Sequence, residues 1–166
     1  MSKVTVLEPT NMMEAMEFST AMSKSQMVPQ AYRNKPEDIL VAIQMGYEVG
    51  LAPMQALQNI AVISGKPTVW GDALLALCKK HPAWRGMTEQ IEGEVATCTI
   101  KRALENGETE TISSKFSRDD ALKAGLLNKA GPWKSYPKRM LALRARGFAL
   151  RDAFPDAIKG MITTEE

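Results

Sequence analysis

Gly131–Arg151, GPWKSYPKRMLALRARGFALR, is the stretch that the rest of the chain reads as positioning. From Lys129 to Arg151 there are seven Lys or Arg and no Asp or Glu. The 166-residue chain nets only +2, so everything outside this window carries −5. A block of one sign inside a chain of the other points to a solvated face or to a polyanion site. Pro137 suits the first position of a helix, where a missing N–H leaves nothing unsatisfied. At roughly 100° per residue, Leu141 and Phe148 share one stripe, and Leu143, Leu150 and Phe154 share a stripe on nearly the opposite side. Arg144 and Arg151 fall in one gap beside Met140 and Gly147; Lys138, Arg139 and Arg146 fall in the other. Arginines held between apolar stripes need anionic partners. The window supplies none, so the partner comes from elsewhere in the chain or from a ligand. Trp133 and Tyr136 stand just ahead, and an aromatic beside cations is what stacking on unpaired bases requires. The competing reading pairs these arginines with the acidic remainder and makes Trp133 a core anchor; residue chemistry alone leaves both open.

Toward the N-terminus the chain reads as helices and a hairpin. Asn11 can cap a helix to about Met22, with Glu14 completing a capping box and Met12, Met16 and Phe18 inward. Pro36 opens a second helix, with Glu37 and Asp38 in its first turn. Ile39, Leu40, Ile43 and Tyr47 keep helical spacing, and Gly46 and Gly50 loosen and end it. GLAP reads as a helix–helix corner, with Pro53 opening a short helix through Asn59. Its apolar content reads as core and as packing between neighbouring subunits. Ile60–Ile63 and Thr68–Trp70 flank Ser64–Gly65–Lys66 as a β-hairpin. Lys66 at the tip reads equally as a phosphate contact or a solvated turn. GDALLALCKK follows as a helix, with Asp72 early and Lys79 and Lys80 late, where each complements the dipole.

From Gly86 to Phe116 the period changes to that of strands, broken at Gly93 and at Asn106–Gly107, and a three-stranded antiparallel meander is predicted. Val95, Thr97, Thr99 and Lys101 share one face of the middle strand; Ala96, Cys98, Ile100 and Arg102 share the other. Lys101 and Arg102 read as a solvated edge. Ser117 caps a helix to about Leu126. A loop carrying Lys129 leads to Trp133. After Phe154 the chain turns acidic and ends without a further domain.

An apolar share of 45% with 24% charged residues is that of an ordinary globular protein. No run approaches the ~18 apolar residues that span a bilayer, and the start, with Glu8, reads as no signal peptide. Cys78 and Cys98 stand alone, which suits inert thiols in a reducing cytosol. His81, the only histidine, has no second ligand at metal spacing and reads as a turn residue. There is no P-loop, GxGxxG, HExxH, CxxC or serine elbow. The carboxylates are scattered over helix starts and strand edges, against a metal-dependent nuclease.

GPWKSYPKRMLALRA resembles the signature of the phage single-strand annealing proteins, the RecT/Red beta family. Those proteins carry GPW, then Ser-x-Pro-Lys-Arg-Met-Leu, then a basic helix with a late Arg. ILVAIQMGYEVGLAPMQALQNIAVI resembles the family's helix–Gly-Leu-x-Pro–helix–strand segment, and the likeness covers about residues 36 to 154. It implies ATP-independent coating of single-stranded DNA, annealing of a complementary strand and retention of the new duplex. It also implies rings or helical filaments with DNA in a basic groove running across subunits. By position, Lys138, Arg139, Arg144 and Arg151 match basic positions of the family's helix, and Lys138, Arg144 and Arg151 are expected to grip phosphates. Trp133 matches the GPW tryptophan and is expected against sugar or backbone. Arg146 and Lys134 stand where relatives are not basic and are secondary, as are Lys66 and Lys129. Relatives often continue into a smaller C-terminal domain that recruits an exonuclease and the host single-strand-binding protein. This sequence ends at Glu166, so recruitment is expected to depend on a region outside it.

The expectation is therefore an α+β protein, with helices packed around a β-hairpin and a three-stranded antiparallel meander. It forms one annealing domain over residues 1–166, flexible at 1–10 and about 157–166. It works in the cytoplasm of a bacterial host, without cofactor, metal or catalytic residues. Alternatives from other classes are a self-assembling structural protein and a metal-dependent nuclease. Arg144→Ala or Arg151→Ala is expected to lower DNA affinity with the fold intact.

Overall fold

In the computed structural model, which describes residues 7–164, most helices begin where the sequence places a proline or a side-chain cap. The chain divides into two compact units, Met1–Pro67 and Thr68–Glu166. Of the ends expected to be flexible, residues 1–6 and 165–166 lie outside the described residues.

The first unit holds α1 (Met12–Ser23), α2 (Pro36–Val49), α3 (Pro53–Asn59) and β1 (Ile60–Ile63). Asn11 caps α1 by accepting from the Glu14 N–H at 3.0 Å. Glu14 reaches back one residue further than a capping box requires: its carboxylate accepts from the N–H and the hydroxyl of Thr10, both at 2.7 Å. The core gathers Val28, Tyr32, Ile39, Ala42, Ile43 and Leu57, with Ala15, Phe18 and Met22 packed against it. Met12, expected inward, is 70% exposed. It lies over a groove beside Leu40, Gln44 and Tyr47, beyond the part of α1 where small Ser19 and Ser23 are buried. Gly46, expected to loosen α2, packs tightly instead. A Cβ built there would sit 2.4 Å from Cβ of Ala56, so the glycine permits α2 and α3 to approach. Gly50 ends α2 in the left-handed region (φ +86°), with the Leu51 N–H donating to the Gly46 carbonyl at 2.8 Å. The GLAP segment is thus a helix corner, as the sequence predicts.

A two-residue turn, Ser64–Gly65, both at positive φ, leads from β1 to β2 (Lys66–Val69). The strand begins at Lys66, two residues earlier than predicted. In the second unit, β2 pairs in parallel with β6 (Ile162–Thr163). The segment after Phe154 therefore folds: Pro155 opens α8 (Pro155–Ile158), and Ile158 and Met161 are buried. That pairing joins positions almost a hundred residues apart, which no local pattern in this segment reports.

β3 (Trp84–Glu92), β4 (Val95–Ala103) and β5 (Thr109–Ser117) form the predicted antiparallel meander, with β4 central. Gly93 and Gly107 occupy its turns at positive φ. Ala96, Cys98 and Ile100 form the buried face of β4, as alternation requires. A long helix, α7 (Pro137–Ala153), lies across β4 and β5 and also packs on α4 (Gly71–Lys80). α5 (Arg118–Lys123) is shorter than predicted; its capping box joins Ser117 and Asp120. Burial pushes both thiols, Cys78 and Cys98, up to about 12, so neither is a thiolate at neutral pH.

Arg102 corrects the edge reading. On the predicted middle strand, its side chain is engaged rather than solvated: the guanidinium forks onto Asp156 of α8 at 2.7 and 2.6 Å while lying 4.8 Å over the Phe154 ring. His81 is the turn residue expected: its Nδ1 accepts from the Ala83 N–H at 3.1 Å, and its Nε2 is 3.2 Å from Asp156.

Candidate nucleic-acid interface

The chain reaches α7 through a short helix, α6 (Pro132–Ser135), preceded by Gly131 at φ +102°. α6 turns Trp133 inward, where it is 6% exposed and its ring centroid lies 6.3 Å from that of Phe116 on β5. One side of Trp133 borders a cleft of about 300 Å³. Leu127, Pro137 and Leu141 supply its other apolar walls, and Lys134 and Lys138 supply cations. The β3–β4 turn contributes Gly93 and Glu94, and the head of α5 contributes Arg118.

The first turn of α7 is electrostatically unusual. It carries Lys138 and Arg139 and no acid, and Tyr136 gives no side-chain cap. The positive end of a helix dipole disfavours cations by about 0.3–1 kcal/mol each. The long helices α1, α2 and α4 all place an acid in their first turn. At the start of α7, unpaired backbone N–H groups, Lys138 and Arg139 sum to one positive site, with Lys134 beside it. An anion placed there meets both donors and charge.

The middle of α7 is different, because the helix is buried on nearly every side from Met140 to Leu150. Arg146, with a side chain only 7% exposed, finds its counter-ions within the unit. Its Nε and Nη2 each donate to one oxygen of Glu89 on β3 at 2.8 Å, and its Nη1 donates to Asp72 on α4 at 3.2 Å. These bonds outweigh desolvation and hold the guanidinium still more firmly protonated. Arg146 thus answers the competing reading, since its partner comes from the acidic remainder. Arg144 is also buried, with its guanidinium 5.6 Å over the Phe116 ring and 6.0 Å over the Phe148 ring. Arg151 is half-buried near the end of the helix.

Of the residues singled out from sequence, the fold brings Trp133, Lys134 and Lys138 to one cleft. Lys129 and Arg139 are exposed but do not line it. Arg144 and Arg146 are withdrawn into the interior. Lys66 is exposed in the other unit. Arg118 and Glu94, which the sequence reading did not select, share the cleft. Nothing in their own neighbourhood marks them; the 24-residue separation is closed only by the meander. Among the described residues, no three His, Cys, Asp or Glu gather as a metal site, and no helix is long and apolar enough to cross a membrane.

The sequence matches the RecT family over residues 3–166. No curated protein matches it.

Proposed function

The chain belongs to the RecT family, whose members anneal single-stranded DNA in phage recombination, and on that premise we propose that it does so without ATP, gripping the strand at the start of α7. Lys134 and Lys138 meet phosphates at the mouth of the cleft, and Trp133 forms the apolar wall against sugar or backbone. Arg139 and Lys129 extend the positive track along the exposed surface. Arg144 supports this region from within α7 through the Phe116 ring, which also borders Trp133, and Arg151, half-buried toward the far end of the helix, is a further phosphate contact. Lys66 is a further phosphate contact supplied by the first unit. Arg146 holds α7 to β3 and α4 and does not reach the strand. The protein acts as a homo-oligomer, with DNA in a groove continued by neighbouring subunits, in the cytoplasm of the bacterial host. Annealing needs only charge, shape and release of counter-ions, so no catalytic residue, metal or cofactor enters the reading.

The observation that carries this is the pair of exposed cations, Lys138 and Arg139, at a helix start that has neither acid nor cap. Fluorescence anisotropy of a labelled oligothymidine at two salt concentrations tests it. Binding should weaken with salt, with a slope of about −0.7 per phosphate contacted. Salt-insensitive or absent binding would favour a structural role, and magnesium-dependent cleavage a nuclease.

A further inference from the structure

Among the described residues lining the cleft, Glu94 is the only acid, and it faces Arg118, whose Nη1 lies 3.0 Å from Glu94 Oε1. Both side chains are well exposed, at 60% for Arg118 and 65% for Glu94. The Arg118 N–H also donates to the Glu94 carbonyl at 2.9 Å, so the backbones stay in register whatever the side chains do. The neighbouring acids have their own partners. Asp120 accepts from the N–H and hydroxyl of Ser117, and Asp119 is 2.7 Å from Lys123. An anion entering beside Lys134 and Lys138 therefore competes with one carboxylate for one guanidinium.

Resting on the annealing reading above, we infer that Arg118 is a further phosphate-binding residue of this cleft and that Glu94 is its built-in competitor. In free protein the carboxylate occupies Arg118. A strand phosphate at the cleft displaces it, and Arg118 turns from Glu94 to the phosphate while the backbone bond keeps it over the site. The exchange is feasible because an exposed ion pair is weak and screened by salt, whereas a guanidinium binds phosphate through a matched fork of donors. A single monodentate contact to Glu94 leaves other N–H groups of Arg118 free to begin the exchange. The device lowers affinity for isolated anions more than for a strand already held by Lys134 and Lys138.

A double-mutant cycle on the intact chain tests this, with oligothymidine anisotropy at low salt as the readout. Glu94→Gln should tighten binding about two- to fivefold, the range an exposed pair supports. Arg118→Gln should weaken it, and Glu94→Gln should add nothing once Arg118 is gone. Both variants should keep the wild-type melting temperature. Tightening that persists without Arg118, or no tightening at all while wild type binds, overturns the inference alone. Wild-type protein that binds no oligothymidine overturns the annealing reading and this inference with it.

Discussion

Lys138 and Arg146 sit eight residues apart on one helix and carry the same charge, yet the fold uses them in opposite ways. Lys138 is exposed at a helix start without an acid, beside a cleft. Arg146 is enclosed and clasped by Glu89 and Asp72. A run of cations is thus not one site. Where the helix is covered by sheet and by α4, a guanidinium must find its partners inside the protein, carboxylates for Arg146 and aromatic rings for Arg144. Where the helix emerges, the charge faces water and is available to a polyanion. The same helix is a structural tie in its middle and, on the proposed reading, a docking surface at its beginning.

Substitutions along α7 can break this contrast. The largest effect on stability is expected from Arg146→Ala, about 2–3 kcal/mol in urea unfolding, since it removes charge-assisted hydrogen bonds from a buried position. The partly exposed Glu89 and Asp72 can rehydrate, which keeps the loss below that of a fully buried pair. Salt-dependent DNA binding by the folded fraction should persist; loss of binding at full stability would place Arg146 at the interface after all. Arg144→Ala should lose about 1–2 kcal/mol from ring contacts and stem packing. This revises the expectation of an untouched fold, and circular-dichroism melting decides it.

Lys138→Ala should change stability by less than about 0.5 kcal/mol, while weakening oligothymidine binding and flattening the salt slope by about 0.7. An unchanged slope would move the interface elsewhere. The smallest effect lies beyond the far end of the helix. Arg102 holds the Asp156 carboxyl down to about 2. A lowered folded-state value stabilises the protein above the ordinary aspartate range near 4, and that contribution disappears as pH falls toward 2. Asp156→Asn should therefore lessen the dependence of urea midpoint on pH across that acid window. Unaltered dependence would mean the exposed pair contributes nothing.

Features set by near neighbours are legible in the sequence. Pro36, Pro53 and Pro137 open helices, Ser117 caps α5, Gly50 ends α2, and alternation along β4 buries Ala96, Cys98 and Ile100. The GPW segment and basic helix pointed to the family. The structure departs from the local pattern where distant chain decides the environment. Met12 has the right spacing but lies over a groove, Gly46 is a close-packing point, and Arg102 is clasped by Asp156 rather than solvated.

The sequence by itself determined the element types and the concentration of positive charge between Lys129 and Arg151, because propensity, capping and charge count depend on near neighbours. Only the tertiary structure decided which cation faces water. Glu89 lies 57 residues from Arg146, and Asp72 lies 74 residues from it. No periodicity within a helix reports whether a carboxylate so remote will be folded onto it. Burial and counter-ion are properties of the packed layers, and those layers divide Arg146 from Lys138.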